Sequence, residues 1–472
     1  MKKLSFFAVF AIAVTVAAAR LGGLPAAEQA ALDRISAASL KTNLSYLASD
    51  ELEGRGTPSH GLDLAADYIA AQFQHEGLEP AAPGNSYFQV AAFDQVEPNM
   101  EGVRLVLHSD AKQLEIPKEE LRVRSLTALD RTDADVLRLP ANGAIPPVKG
   151  MIVAGATERY GDEALLEQLQ SRGPALILLF GKNTVRHGRT NKFLDDLSLH
   201  HAPVIRIDDA DALGFLEKNP RFSMSLHVPQ PVVKQAALRN VAALLPGSDP
   251  ALRDQYVLLT AHYDHLGKTP KGIFHGANDN ASGTVSVIEI AGALATLNPH
   301  PKRSILFVTF FGEEEGLLGS YYYAHSPLVP LSSTVANINL EQMGRTDDAS
   351  GRHLLSFSVT GTSYSNLPAI LSDAAKAEGI GTWPMPDADS YFPRSDNYGL
   401  ALHGVVAHTI AVAAEFPDYH ALGDTREKID YENMAKVDRG VAAGVLRVAD
   451  EPQTPKWSAS RDAAVYREAA PR

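Results

Sequence analysis

A mixed α/β protein, with a largely parallel central sheet flanked by helices and interrupted by a strand-rich module, is predicted by three features of the sequence. First, Tyr256-Val-Leu-Leu-Thr260 and Ser304-Ile-Leu-Phe-Val-Thr-Phe-Phe311 are continuous apolar runs, as expected of strands buried on both faces. Second, residues 281–297 between them are rich in Ala, Val and Ile and long enough for a helix. Strand, helix, strand implies a right-handed crossover and parallel pairing. Third, residues 96–234 break into short apolar runs split by Pro, Gly and polar turns, the pattern of a strand-rich module.

Taken in order, the chain opens with Lys2 and Lys3, then an apolar stretch over residues 4–19 that ends Ala17-Ala18-Ala19 before Arg20. A basic start, a short apolar core and small residues at its end predict a cleavable signal peptide, residues 1–19, and a periplasmic or extracellular protein. A spanning helix needs about 20 apolar residues, and no later segment supplies one. No Cys follows the apolar core, so a lipid anchor is unsupported and no membrane contact is expected after cleavage.

Residues 20–97 form the first part of the main domain. Ala65, Ile69 and Phe73 recur at one helical face, and Gly77 suits the cap that ends that helix. The Gly-punctuated segment Leu47-Ala-Ser-Asp-Glu-Leu-Glu-Gly-Arg-Gly56 reads as a loop. The inserted module spans residues 98–236, with strand signals at 150–154, 175–180 and 203–207 and a helix at 162–170. His187, His200 and His201 lie in a polar stretch there and read as solvated. Residues 237–450 form the remainder of the main domain, with further strands at 335–340, 354–359 and 404–410. The polar, Pro-containing tail, 451–472, reads as loosely held.

Composition narrows the chemistry. At 472 residues the chain exceeds one ordinary compact domain, and 45% hydrophobic with 21% charged residues describes a globular protein with a large core. A net charge of -13 argues against a nucleic-acid partner, although solubility explains it equally well. There are no cysteines, which excludes disulfides, thiolate ligands and a cysteine nucleophile together. Any metal must be held by His, Asp and Glu.

Five clusters of such residues fall at the ends of predicted elements, where open α/β sheets form their sites. His262-Tyr-Asp-His265 follows the first buried strand, and in such a strand His262 and Asp264 point to the same face. A carboxylate beside an imidazole fixes its tautomer and direction. In Gly276-Ala-Asn-Asp-Asn-Ala-Ser-Gly283, Asp279 lies where a carboxylate can bridge two cations, although Asn-Asp-Asn-x-Ser is equally a good helix cap. Gly312-Glu-Glu-Glu-Gly316 sets three mutually repelling carboxylates beyond the most apolar strand, an arrangement that makes sense if cations neutralise some of them. Asn337-Ile-Asn-Leu-Glu341 again ends a strand on a carboxylate. Asp418-Tyr-His-Ala-Leu-Gly-Asp-Thr425 offers His420, while Asp424 or Thr425 can begin or cap the next element. Imidazole and carboxylate donors without thiolate suit zinc, with Co2+ or Mn2+ as substitutes.

In this order the motifs His-x-Asp, Gly-Ala-x-Asp-x-Ala-Ser-Gly, Glu-Glu-x-Gly-Leu-x-Gly-Ser, Asn-x-Glu-x-x-Gly and Tyr-His-x-x-x-Asp resemble the M28 zinc aminopeptidases, as does the segment 47–56. The resemblance implies a zinc-exopeptidase-type sheet and two Zn2+ ions. Asp279 would bridge them, His262 and Glu341 would complete one set of ligands, and Glu314 and His420 the other. Glu313 would be the general base, Asp264 would orient His262, and Tyr419 is a candidate donor to the tetrahedral intermediate. The implied reaction removes the first residue from peptides with a free N-terminus. The inserted module resembles a protease-associated domain.

The sequence departs from the family twice. Glu341 stands where Asp is usual, and Ser395-Asp-Asn397 stands where Ser-Asp-His is often found. The rival readings are a one-zinc, glutaminyl-cyclase-like transferase and a non-catalytic, receptor-like binding protein on the same fold. Retention of both ligand pairs favours two metals and hydrolysis, and a receptor would have eroded ligands.

Overall fold

The computed structural model describes residues 24–469 apart from 111, 162 and 182–201. The expected signal peptide at 1–19 and His187, His200 and His201 lie outside the described residues, as does Asp162. The chain forms two units, residues 1–91 with 238–472, and residues 92–237.

The sheet of the first unit is built around six strands: β1 (Val232–Leu245), β2 (Tyr256–His262), β3 (Ser304–Phe310), β4 (Thr334–Glu341), β5 (Ser356–Val359) and β6 (Ala407–Ala411). Their spatial order is β1-β3-β2-β4-β6-β5. The four inner strands are parallel, and β1 and β5 pair antiparallel on either side. Every residue of β3 and β6 is buried, as is all of β2 after Tyr256, which is why these segments read as unbroken apolar runs. From β2 the chain crosses to β3 on one side and later returns to β4 on the other. Their carboxyl ends therefore open a crevice at a topological switch point.

Helices complete the layers. In α1 (His60–His75), Ser59 caps the first turn by accepting the Leu62 N–H. Ala65, Ile69 and Phe73 are buried, and Gly77 follows at φ +76. The crossover helix α2 (Gly283–Ala295) is buried all round except at Glu289 and Ala295, as expected of a helix enclosed by sheet and other helices. α3 (Tyr431–Asp450) starts at Asp430, whose carboxylate accepts the Asn433 N–H.

Two sequence expectations are corrected here. Segment 47–56 is more than a simple loop: 3₁₀ turns over Asp50–Arg55, broken by left-handed Glu53 (φ 45) and Gly54 (φ 73), carry Arg55 into the interior. The tail is not loosely held. The Trp457 indole donates to the Gly404 carbonyl at 3.0 Å, and the Tyr466 ring lies 5.2 Å from both Trp457 and Phe392. Two aromatic anchors outweigh a polar composition, because each ring buries a large apolar area.

The second unit is an eight-stranded mixed sheet whose middle strands, 129–138, 152–156, 176–180 and 204–207, run parallel. Alternate side chains feed separate cores on the two faces, Ile152 and Leu178 on one and Val153 and Ile177 on the other. Among the described residues, no helix is long and apolar enough to cross a membrane.

Candidate metal centre

β2 and β4 end on residues of one polar cluster, His262 and Glu341, and the loop after β3 adds Glu313 and Glu314. His262 closes β2. Its Nε2 lies 3.3 Å from Glu341 Oε2, 3.5 Å from Asp279 Oδ1 and 4.0 Å from Glu313 Oε2. The other oxygen of Asp279, Oδ2, lies 3.1 Å from His420 Nε2, which is itself 3.2 Å from Glu314 Oε2. The two oxygens of Asp279 thus face two different sets of donors. His262, Asp279 and Glu341 form one set, and His265, Asp279, Glu314 and His420 form the other.

Asp279 is delivered by a wide turn, Ala277–Ser282, between β2 and α2. Of the two asparagines beside it, Asn280 meets the start of α2, as the cap reading of the motif expects, and Asn278 does not. Asn278 Oδ1 accepts the N–H groups of Gly344 and Arg345, and Asn280 Oδ1 accepts those of Gly283 and Gln342. They fasten the turn to the segment leaving β4. Thr425 stands at the start of the next turn, Arg426–Lys428, and Asp424 acts elsewhere. Its carboxylate accepts the N–H groups of Asn278 and Asp279 at 2.9–3.1 Å, and burial pushes it up to about 6. Gly276 enters the turn at φ +56, where a Cβ would stand 2.4 Å from the His265 ring and 2.3 Å from the Asp279 carbonyl. Only glycine lets the backbone pass this close.

Asp264 is fully buried. Its backbone carbonyl accepts from His262 Nδ1 at 3.2 Å, with Oδ1 at 3.5 Å from the same nitrogen. The carboxylate also accepts the Glu313 N–H at 3.1 Å and the Thr57 hydroxyl at 3.0 Å. It therefore holds both a strand-end imidazole and the loop that presents Glu313. Glu341 is held similarly, its Oε1 accepting the Ser395 hydroxyl at 2.5 Å while Oε2 faces His262. Asn397, where related motifs often have His, is turned into structure: it donates to the Phe392 carbonyl and accepts from Thr409.

Charge explains what this cluster can hold. Burial alone would lower His262, yet the Glu341, Asp264 and Glu313 carboxylates raise it well above the ordinary range. For His420 burial again opposes charge, and Glu314 and Asp279 push it up to about 11. Burial would raise Glu314, but His420 and His265 hold it well below the carboxylate range. The carboxylates demand neutralising positive charge, which protons on the imidazoles or divalent cations can supply. Asp279 Oδ2 and His265 Nε2 are buried without a hydrogen-bond partner. These donors fit borderline divalent ions such as zinc.

Sequence reasoning missed three contributors. His265 was visible within His262-Tyr-Asp-His265, but its role depends on reaching across to Glu314, 2.7 Å away. Asp424 acts on backbone N–H groups far along the chain. Arg55 donates to four carbonyls, those of Leu47, Tyr263, His275 and Gly276, and so braces the turns carrying His265 and Asp279. Tyr419 stacks on His420 and lines a cavity of about 70 Å³ beside His262, Asp279, Glu313 and Glu341.

Residues 240–445 match the model of peptidase family M28. A probable zinc metalloprotease of Pyrenophora teres is 35% identical over 117 residues, 24% of this chain and 24% of that protein. A probable leucine aminopeptidase of Trichophyton verrucosum is 28% identical over 216 residues, 42% of this chain and 54% of that protein. The chain thus spans no more than about half the length of these curated relatives. The solved aminopeptidase of Aneurinibacillus sp. strain AM-1 superimposes with a TM-score of 0.63 at 21% identity, over 90% of this chain and 97% of that one, a likeness of fold.

Proposed function

The segment 240–445 belongs to peptidase family M28, and from that premise we propose that the chain is a secreted two-zinc aminopeptidase acting on peptides with a free N-terminus. The observation that carries this reading is the division of Asp279 between two donor sets, one oxygen toward each. His262, Asp279 and Glu341 would hold one ion, and Asp279, Glu314 and His420 the other. A bound zinc pair supplies Lewis acidity and a nucleophilic water at neutral pH.

The remaining chemistry belongs to the protein. Glu313 is the general base, its carboxylate 12% exposed and aimed at the His262 side of the cluster. It takes the proton of the attacking water and returns it to the leaving amine. Asp264 fixes the Glu313 backbone, so the base does not drift from that position. Ser395 holds Glu341 and compensates for the extra methylene by pinning its outer oxygen. The cavity of about 70 Å³, walled in part by Met385 and Tyr419, receives the first side chain. The inserted unit, 92–237, fits a protease-associated module, with no donor cluster among its described residues.

The test compares aminoacyl chromogenic substrates with their N-acetylated forms. Cleavage of the free amines alone is expected. Equal cleavage of both, or cyclisation of N-terminal Gln as the main reaction, would overturn the reading in favour of an endopeptidase or a transferase.

A further inference from the structure

The two donor sets are unequal, and the difference is His265. Resting on the two-ion reading above, we propose that His265 is a direct protein ligand, through Nδ1, to the ion held by Asp279, Glu314 and His420. That ion then has four protein donors and its neighbour three.

Two donors bound tetrahedrally at about 2.0–2.1 Å stand about 3.3 Å apart. Around the larger set the separations bracket that value: 2.7 Å from His265 Nδ1 to Glu314 Oε1, 3.9 Å from His265 Nδ1 to Asp279 Oδ2, and 3.1 and 3.2 Å from His420 Nε2 to Asp279 Oδ2 and Glu314 Oε2. Around the smaller set, His262 Nε2 stands 3.3 and 3.5 Å from its two carboxylates, and no fourth donor joins them among the described residues.

The ring of His265 is built into its position. Its side chain is 0% exposed, its backbone N–H donates to the Arg55 carbonyl at 3.2 Å, and a Cβ at Gly276 would stand only 2.4 and 2.5 Å from its Cγ and Cδ2. Nδ1 is the nitrogen facing the carboxylates, so the neutral ligand carries its proton on Nε2.

The consequence is a division of labour. Zinc sites filled by four protein donors are structural, whereas three-donor sites keep a position for water or substrate. The His262 ion is the open one, and Glu313 lies on its side of the cluster. The His265 ion is the tightly held one.

The test titrates Co2+ and Zn2+ into the chelator-stripped full chain, wild type and His265→Asn, following affinity and the Co2+ d–d absorption. Asn keeps an N–H near the position of Nδ1 and so preserves a hydrogen bond to Glu314, but it removes the imidazole ligand. The expected result is two unequal steps in the wild type, and in His265→Asn a tenfold or greater weakening of the tighter step with an altered Co2+ spectrum. Coincident thermal unfolding of the two stripped proteins verifies the fold. A change of less than tenfold with an unchanged spectrum overturns the ligand assignment and leaves the two-ion centre standing. A wild type that binds one ion, released by His265→Asn, sinks the two-ion centre while retaining the ligand.

Discussion

The two units of this chain share an architecture and differ in what they bury. Both are built on parallel strands packed over apolar cores. Among the described residues, the second unit buries only Ser125 and Thr157 as polar side chains. The first buries Arg55, His262, Asp264, His265, Asp279, Asp396, His408, Asp424 and Asp438, among others. Burying such groups costs stability unless each finds partners. The first unit accepts that cost where strands β2, β3 and β4 end, and the second has no comparable cluster among its described residues. A parallel sheet therefore provides a place for chemistry without dictating it.

The largest contrast should appear in catalysis. Glu313→Gln is expected to lower kcat by about 10²–10⁴-fold with metal content and melting temperature unchanged. A variant with full turnover would remove Glu313 from the mechanism. The second unit should respond in the opposite way. Phe180 is fully buried and meets Phe222 edge-on at 6.4 Å. Phe180→Ala should cost about 3–5 kcal/mol in denaturant unfolding and leave kcat unchanged at temperatures where the protein stays folded. A parallel loss of kcat in the folded protein would break the separation of roles.

Acid stability sharpens the comparison further. His408 on β6 is fully buried between Ser365 and the Thr360 carbonyl, and burial lowers it to about 4. The unfolded chain takes up this proton near pH 6.5 and the folded chain only near pH 4. Stability is thus unaffected above pH 6.5 and is lost as pH falls from 6.5 to 4, by about 3 kcal/mol in total. The decline over that window should be shallower by a similar amount in His408→Gln, measured by urea unfolding at each pH. Identical slopes would show that His408 is not the group responsible. The smallest effect is expected at Ser395, whose hydroxyl donates to Glu341 Oε1 and accepts from the Asn339 amide. Ser395→Ala should weaken one metal-binding step by about 10–100-fold, read by chelator competition, and an unaltered titration would refute that supporting role.

The strands were legible because burial on both faces leaves an unbroken apolar run, and β2 and β3 begin where those runs begin. The seven residues that the structure gathers into this cluster were legible because each follows such a run or sits in a short motif with fixed spacing. His265, Asp424 and Arg55 were not, for a shared physical reason: their partners are a carboxylate, backbone N–H groups and carbonyls distant in sequence. No local pattern records such a contact. The tail was misread because its composition averages over Trp457 and Tyr466, while packing depends on those two rings alone.

The most direct test of the central claim is a stoichiometric one. The chelator-stripped chain is titrated with Zn2+ while bound metal and hydrolysis of aminoacyl chromogenic substrates are followed together. No turnover without metal, and full turnover at two ions per chain, is the predicted result. Turnover in the stripped chain, or a plateau of both binding and activity at a single ion, would contradict it.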